Sequence, residues 1–277
     1  MLKRILVVLD GSKAAAAAKL YAVELAQATD SALTGVGVID TPWITAAQPE
    51  PLGGAAFKIH RDKVVIRQTH ERIQKMLDGF MGICKENDVA CQVSELEGFP
   101  ATEIENMSEE NDMIVIGKTT DFHFDLDDDS DLTVKHIIRD NPRPIIVVTG
   151  PSKAEGDVLI AYDGSLQAAR ALHMFLLLGL AKGRKVHAIS IAPRQKEANL
   201  IVMRARNMCE LHGVEVVAEG IVSSRAPENT IQKKAKEIGA SVIIMGAFGH
   251  HGLRELFFGS TTEHMMKHSE VPLFIHH

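Results

Sequence analysis

The densest set of residues able to do chemistry lies near the end of the chain. Gly246-Ala247-Phe248-Gly249 is followed, after nine intervening residues, by Gly259-Ser260-Thr261. Glycine directly after an apolar strand, with another three positions on, permits positive φ and lets a ligand approach bare backbone amides. Gly259-Ser260 opens a helical stretch, Thr261 to His268, whose free N–H groups and dipole favour an anion. His250 and Arg254, between Gly249 and Gly259, offer cations for a phosphate. Each piece also has a structural reading: Ser260 and Glu263 fit an S-x-x-E capping box, Gly246 fits a strand-end turn, and loop polarity accounts for His250 and His251.

Other chemistries fail on spacing. Gly117-Lys118-Thr119 resembles the end of a P-loop, but Asp112 stands where the first glycine belongs. Asp125, Asp127, Asp129 and Asp131 have calcium-loop spacing, yet Ser130 replaces the required glycine and His136 the required glutamate, so a solvated acidic loop is expected and no metal site. His264 and His268 share a helical face without the glutamate of a zinc-protease signature, and are expected at the surface. Cys84, Cys91 and Cys209 form no C-x-x-C pair and are odd in number, which predicts idle or buried thiols. His276 and His277, ending the chain, are expected to fray. No catalytic residue stands out.

The elements that must position the glycines occur twice. Residues 5–12, Ile-Leu-Val-Val-Leu-Asp-Gly-Ser, return as residues 158–165, Val-Leu-Ile-Ala-Tyr-Asp-Gly-Ser. Each copy continues with an alanine-rich helix (Ala14 to Ala28; Gln167 to Lys182) and a short apolar strand (Leu33 to Ile39; Val186 to Ile191). A long helix follows (about Asp62 to Asn87; Gln195 to His212), then a strand (Ala90 to Leu96; Val214 to Glu219). A further helix leads to a buried-looking strand (Asp112 to Gly117; Ser241 to Gly246), and each copy closes on a strand after proline (Ile145 to Val148; Leu273 to Ile275). Short continuous apolar runs alternating with helices predict parallel sheets covered on both faces. The expected fold class is therefore α/β, with two tandem sandwiches of about five strands each. The first domain spans 1–149, a Gly-, Pro- and charge-rich linker 150–157, and the second domain 158–277. Thr41 to His60, holding Pro42, Pro49, Pro51 and the single tryptophan, Trp43, is expected to be a loop.

Composition narrows the partners. The chain has 277 residues and a net charge of −6, without the clustered Lys and Arg that nucleic-acid binding needs. Its longest unbroken apolar runs, such as Met174 to Ala181, fall far short of the roughly 20 residues of a membrane span. Met1 to Asp10 enters a strand directly, without a signal-peptide core, which predicts a cytoplasmic protein.

The spacing Gly246, two residues, Gly249, nine residues, Gly259-Ser260 resembles the G-2x-G-9x-G-[S/T] pattern of the universal stress protein family. With the doubled Asp-Gly-Ser, the chain is similar to a tandem member of that family over nearly its whole length. The resemblance implies a Rossmann-like, adenine nucleotide α-hydrolase-like fold of five parallel strands per domain and a bound adenine nucleotide in the second half. ATP is expected, with ADP or AMP as alternatives, together with Mg2+ or Mn2+ held by the phosphates. By the same resemblance Asp163 approaches the adenosine, and Ile191 meets the adenine through backbone groups. Gly246 and Gly249 line the ribose and phosphates, and Gly259, Ser260 and Thr261 hold the phosphates. The first half departs from the pattern: Thr120 and Ser130-Asp131 replace the later glycines, and five aspartates in 125–131 face where phosphates would need donors. That half is expected not to bind ATP.

Three functions are weighed: an ATP-binding regulator of stress responses, a slow ATPase, and a module taking an apolar or other small ligand near Trp43, Ile44, Leu52 and Phe57. Single-domain relatives commonly dimerise, so the closing strands of the two halves are expected to meet edge to edge as an intramolecular pseudo-dimer, with a further homodimer as an alternative.

Overall fold

A computed structural model describes residues 1–47, 55–123, 133–247 and 259–277. The first half runs β1 (Arg4–Val8), α1 (Lys13–Thr29), β2 (Ala32–Ile39), α2 (Thr41–Ile44), α3 (Ala55–Glu86), β3 (Cys91–Glu97), α4 (Pro100–Ser108), β4 (Met113–Gly117), α5 (Thr133–Asp140) and β5 (Ile145–Val148). The second runs β6 (Asp157–Ala161), α6 (Leu166–Leu177), β7 (Val186–Ala192), α7 (Gln195–Leu211), β8 (Val216–Val222), α8 (Glu228–Ile238), β9 (Ala240–Gly246), α9 (Ser260–His268) and β10 (Leu273–His276).

Local chemistry sets the helix starts. Ser12 and Ser165 sit in extended conformation and accept hydrogen bonds from Ala15 N and Ala168 N, so each Asp-Gly-Ser ends by capping the helix after it. Such a cap stabilises a helix by about 0.5–2 kcal/mol. The alanines behind it let α1 and α6 lie close on the sheet: Ala15, Ala18, Ala22, Ala168 and Ala171 are all buried.

Two parallel five-stranded units, each with its first strand central, join into one ten-stranded sheet ordered β3-β2-β1-β4-β5-β10-β9-β6-β7-β8. The junction is its single antiparallel pair among the described strands, with Ile146 opposite Phe274 and Val147 opposite Leu273. The expected edge-to-edge meeting of the closing strands is thus observed. Both faces are covered: α1, α3, α6 and α7 enclose one apolar layer and α4, α5, α8 and α9 the other, each layer running through both halves.

The segment 41–60 differs from the expected loop. Asp40 accepts from Trp43 N and Pro42 occupies the first turn, so residues 41–44 form a short helix; proline there lacks only an N–H that would have gone unpaired. Helix α3 begins at Ala55, earlier than the pattern predicted. Pro49, Pro51 and Leu52 lie outside the described residues. His276 is not frayed: it is the last residue of β10, in register with Gly246, and burial pushes its imidazole down to about 4. The three cysteines are unpaired, and burial, with the neighbouring Cys91 thiol adding to it, pushes Cys84 up to about 12. No helix among the described residues is long and apolar enough to cross a membrane.

Phe274 is fully buried at the junction and meets Phe175 of α6 edge to face, with ring centres 5.2 Å apart. Phe274→Ala is expected to cost about 3–5 kcal/mol in chemical denaturation, because a cavity opens where the layers of the two halves merge.

Candidate functional site

In each half the strand order reverses beside the central strand, between β1 and β4 and between β6 and β9, which places a crevice at the carboxyl ends of these strands. Asp-Gly-Ser forms one wall. Asp163 Oδ1 accepts from Ser165 N at 2.9 Å and Asp10 Oδ1 from Ser12 N at 2.8 Å, and between them Gly164 and Gly11 adopt φ of 81° and 84°. This left-handed step admits glycine readily and turns the chain sharply into the helix. The two aspartates then differ. Asp163 is exposed at the crevice mouth, whereas Asp10 is 1% exposed and its second oxygen accepts from Asp121 N at 3.1 Å. Burial is the main force raising the Asp10 carboxyl to about 6, with the Asp121 charge adding to it.

The glycine ending β9 has a different task from the one its position suggests. Gly246 does not have positive φ; it lies at the end of the strand, where a β-carbon would come within 2.5 Å of Ala168 N and 2.8 Å of Gln167 C. Gly117 of β4 is held in the same way, 2.7 Å from Ala14 C and 2.8 Å from Ala15 N. These glycines allow the first turns of α6 and α1 to press onto the sheet. That explains why the first half keeps Gly117 although it lacks the later glycines.

Opposite this packing, α9 starts at the crevice. Gly259 is its N-cap, with no side-chain cap bond, and Ser260 is exposed at the first helical position. The capping-box reading of Ser260 and Glu263 is not realised: Glu263 instead pairs with Lys267 at 2.9 Å, which holds its carboxyl below the usual range. Thr262 Oγ1 donates to Gly246 O at 3.3 Å, tying the first turn of α9 to the end of β9. Gly246, Gly259, Ser260 and Thr261 are thereby brought to one place. Ile191 lies half-buried near the end of β7, whose Ser190 hydroxyl donates to Tyr162 O just before Asp163. Gly249, His250 and Arg254 lie outside the described residues. So do Asp125 to Asp131.

Two cations escaped the sequence reading because neither belongs to the motif. Arg204 of α7 reaches within 3.9 Å of the β-carbon position at Gly164, and Lys135 of α5 crosses from the first half to Glu263 at 4.0 Å. Helical spacing shows which face a residue occupies, not which loop it overhangs.

In the first half, residues after β4 close over the crevice. Lys118 N donates to Val148 O, Asp121 N to Asp10, and His123 reaches Asp40 at 3.0 Å while its ring stacks on Trp43, centres 4.2 Å apart and 15° from parallel. Phe122, between them, is buried in the core. Trp43 is therefore engaged by His123, Ile44 is buried and Phe57 is exposed.

Fold and site together define a pair of Rossmann-like α/β units sharing one sheet, with a glycine-rich strand-to-helix connection at the second crevice. The family model of universal stress proteins matches residues 1–121 and 156–277, and the chain belongs to the universal stress protein family. It is 23% identical to universal stress protein Slr1230 of Synechocystis sp. over 98% of this chain and 99% of that protein. It is 30% identical to universal stress protein MJ0577 of Methanocaldococcus jannaschii over 44% of this chain and 77% of that one. Among solved structures, a universal stress protein from Archaeoglobus fulgidus DSM 4304 shares the fold at TM-score 0.70 and 21% identity, covering 99% of this chain and 97% of its own.

Gly117→Ala and Gly246→Ala are each expected to lower stability by about 1–3 kcal/mol, since the obstructing atoms include helix backbone. Chemical denaturation of both variants checks this, and unchanged stability of Gly117→Ala would remove the packing explanation. Asp10 gives a pH signature. Its folded carboxyl titrates near 6 against a reference value of 3.8, so the stability tied to the protonated form is full below pH 3.8 and is lost as pH rises through 6. Relative to Asp10→Asn, the native chain is expected to lose up to about 1.4 kcal/mol per pH unit across that window, measured by urea denaturation at a series of pH values.

Proposed function

We propose that the second half binds an adenine nucleotide, ATP with ADP or AMP as alternatives, and that occupancy of this site regulates the protein in stress responses. The observation that carries this reading is the Thr262–Gly246 contact, which supports one continuous site at the crevice between β6 and β9 by joining the two ends of the spaced glycine motif. The uncapped start of α9 offers backbone N–H groups to phosphate, and Ser260 adds a hydroxyl. In this reading Asp163 accepts from a ribose hydroxyl, Ile191 meets the base, and Gly249, His250 and Arg254 complete the phosphate side. In this reading Mg2+ or Mn2+ is held by the phosphates.

Regulation by binding is favoured over hydrolysis. Glu263, the described carboxylate nearest the start of α9, is committed to Lys267 and held ionised by it, which makes it a weak proton acceptor. The first half takes no ATP in this reading: its crevice is closed by residues 118–123, and its carboxylates repel polyphosphate.

Mass spectrometry of small molecules released from the denatured protein is expected to find up to one adenine nucleotide per chain. Absence of nucleotide together with no thermal shift on adding ATP would defeat the reading. Gly259→Asp sharpens it. Backbone angles of −54° and 140° accept aspartate, and aspartate is a better N-cap than glycine by a few tenths of a kcal/mol. The variant should fold at least as stably as the native chain yet bind ATP at least ten times more weakly by calorimetry, because its carboxylate occupies the anion position.

A further inference from the structure

The crevice of the first half is filled by a side chain that has the form of a ligand. His123 presents a planar nitrogen heterocycle, stacked on the indole of Trp43 and bonded through Nε2 to Asp40 Oδ2 at 3.0 Å. The turn that carries its receptor is fixed independently of the imidazole. Asp40 is 7% exposed and its other oxygen caps α2 by accepting from Trp43 N at 2.9 Å, so the carboxylate and the indole are held by the same short turn. Asp40 follows β2 as Pro193 follows β7: Val36 pairs with Val8 as Ile189 pairs with Ala161, which makes the two strand ends equivalent positions in the two halves. The imidazole arrives from the far side of the crevice, on the chain leaving β4, and retains 20% exposure of its side chain. Its approach is anchored by the Asp121–Asp10 bond and by a weak one from Ser12 Oγ to Thr119 O at 3.4 Å.

We propose that the first half carries a binding site for a planar, phosphate-free nitrogen heterocycle with an N–H donor, such as a nucleobase or nucleoside, which His123 occupies from within and closes. The indole supplies a stacking face and Asp40 a hydrogen-bond acceptor, the two features such a ring needs. Phosphate is disfavoured by Asp10, Asp40 and Asp121 around the crevice. The inference goes beyond nucleotide binding in the second half and does not require it.

Trp43 is the only tryptophan of the chain, so its emission reports on this stack alone. The experiment uses the full chain in a Gly259→Asp background, which silences the second half, and compares it with the same chain carrying His123→Ala. Imidazole, adenosine and guanosine are titrated while Trp43 emission is followed. Vacating the ring should give saturable emission changes, with apparent affinity at least ten times that of the His123-containing chain, and adding Asp40→Asn should reduce it at least tenfold. His123→Asn, which keeps a polar side chain at this half-buried position, is the second variant and should behave like His123→Ala; circular dichroism checks that each is folded. A folded vacated variant that responds to none of the three probes, or responds no better than the His123-containing chain, overturns the proposal. Tighter binding of ATP than of adenosine by the vacated variant overturns its phosphate-free character. Loss of ATP binding in the native chain would defeat the nucleotide reading without touching this one.

Discussion

The hydrogen-bonded pairing of β5 with β10 is the constraint on which the rest of the structure rests. A parallel five-stranded unit leaves its fifth strand as an apolar edge, and Ile145–Val148 and Leu273–Ile275 are almost completely buried side chains that could not stay at a free edge. Joining them removes two edges at once. It also makes each apolar layer continuous, so that Phe175 and Phe274 pack across elements from one layer and Ile145 and Ile275 face the other. The span between Val148 and Asp157 carries the chain from β5 past β10 and β9 to β6.

A second constraint acts inside each unit. The first turns of α1 and α6 lie so close to β4 and β9 that only glycine fits at positions 117 and 246. The requirement is one of fold, and it precedes any ligand. Once met, it draws the Asp-Gly-Ser turn and the end of the fourth strand together and leaves the space above them open for whatever follows. In the second half the following helix begins without a side-chain cap; in the first, the chain turns back and fills the space with His123 and Phe122. The two crevices thus share one glycine and differ in the described elements that follow it.

The amount legible in the sequence follows the range of each interaction. Strand-helix order, the duplication and the meeting of the closing strands all arise from local pattern or from an exposed-edge problem that has few solutions. Gly246 was found by spacing, but its packing role was not, because it depends on Ala168, distant in sequence. The start of α3 was missed since prolines upstream masked a helix whose register is set by packing. Trp43 with His123 and Arg204 with Gly164 join residues far apart in the chain, and no periodicity encodes such pairs. Asp10 and Asp163 carry the same three-residue signature, yet one is buried and the other exposed, and the bond that Asp10 accepts from Asp121 joins residues far apart in the chain.

Because β5 and β10 run against each other, the carboxyl ends of the strands in the two halves point in opposite directions. The two crevices therefore open at opposite poles of the molecule. A partner protein that covers one pole leaves the other accessible, and a single small molecule cannot bridge them. Duplication has produced a two-headed chain in which each head can diverge under its own selection, while the shared middle of the sheet resists change in both.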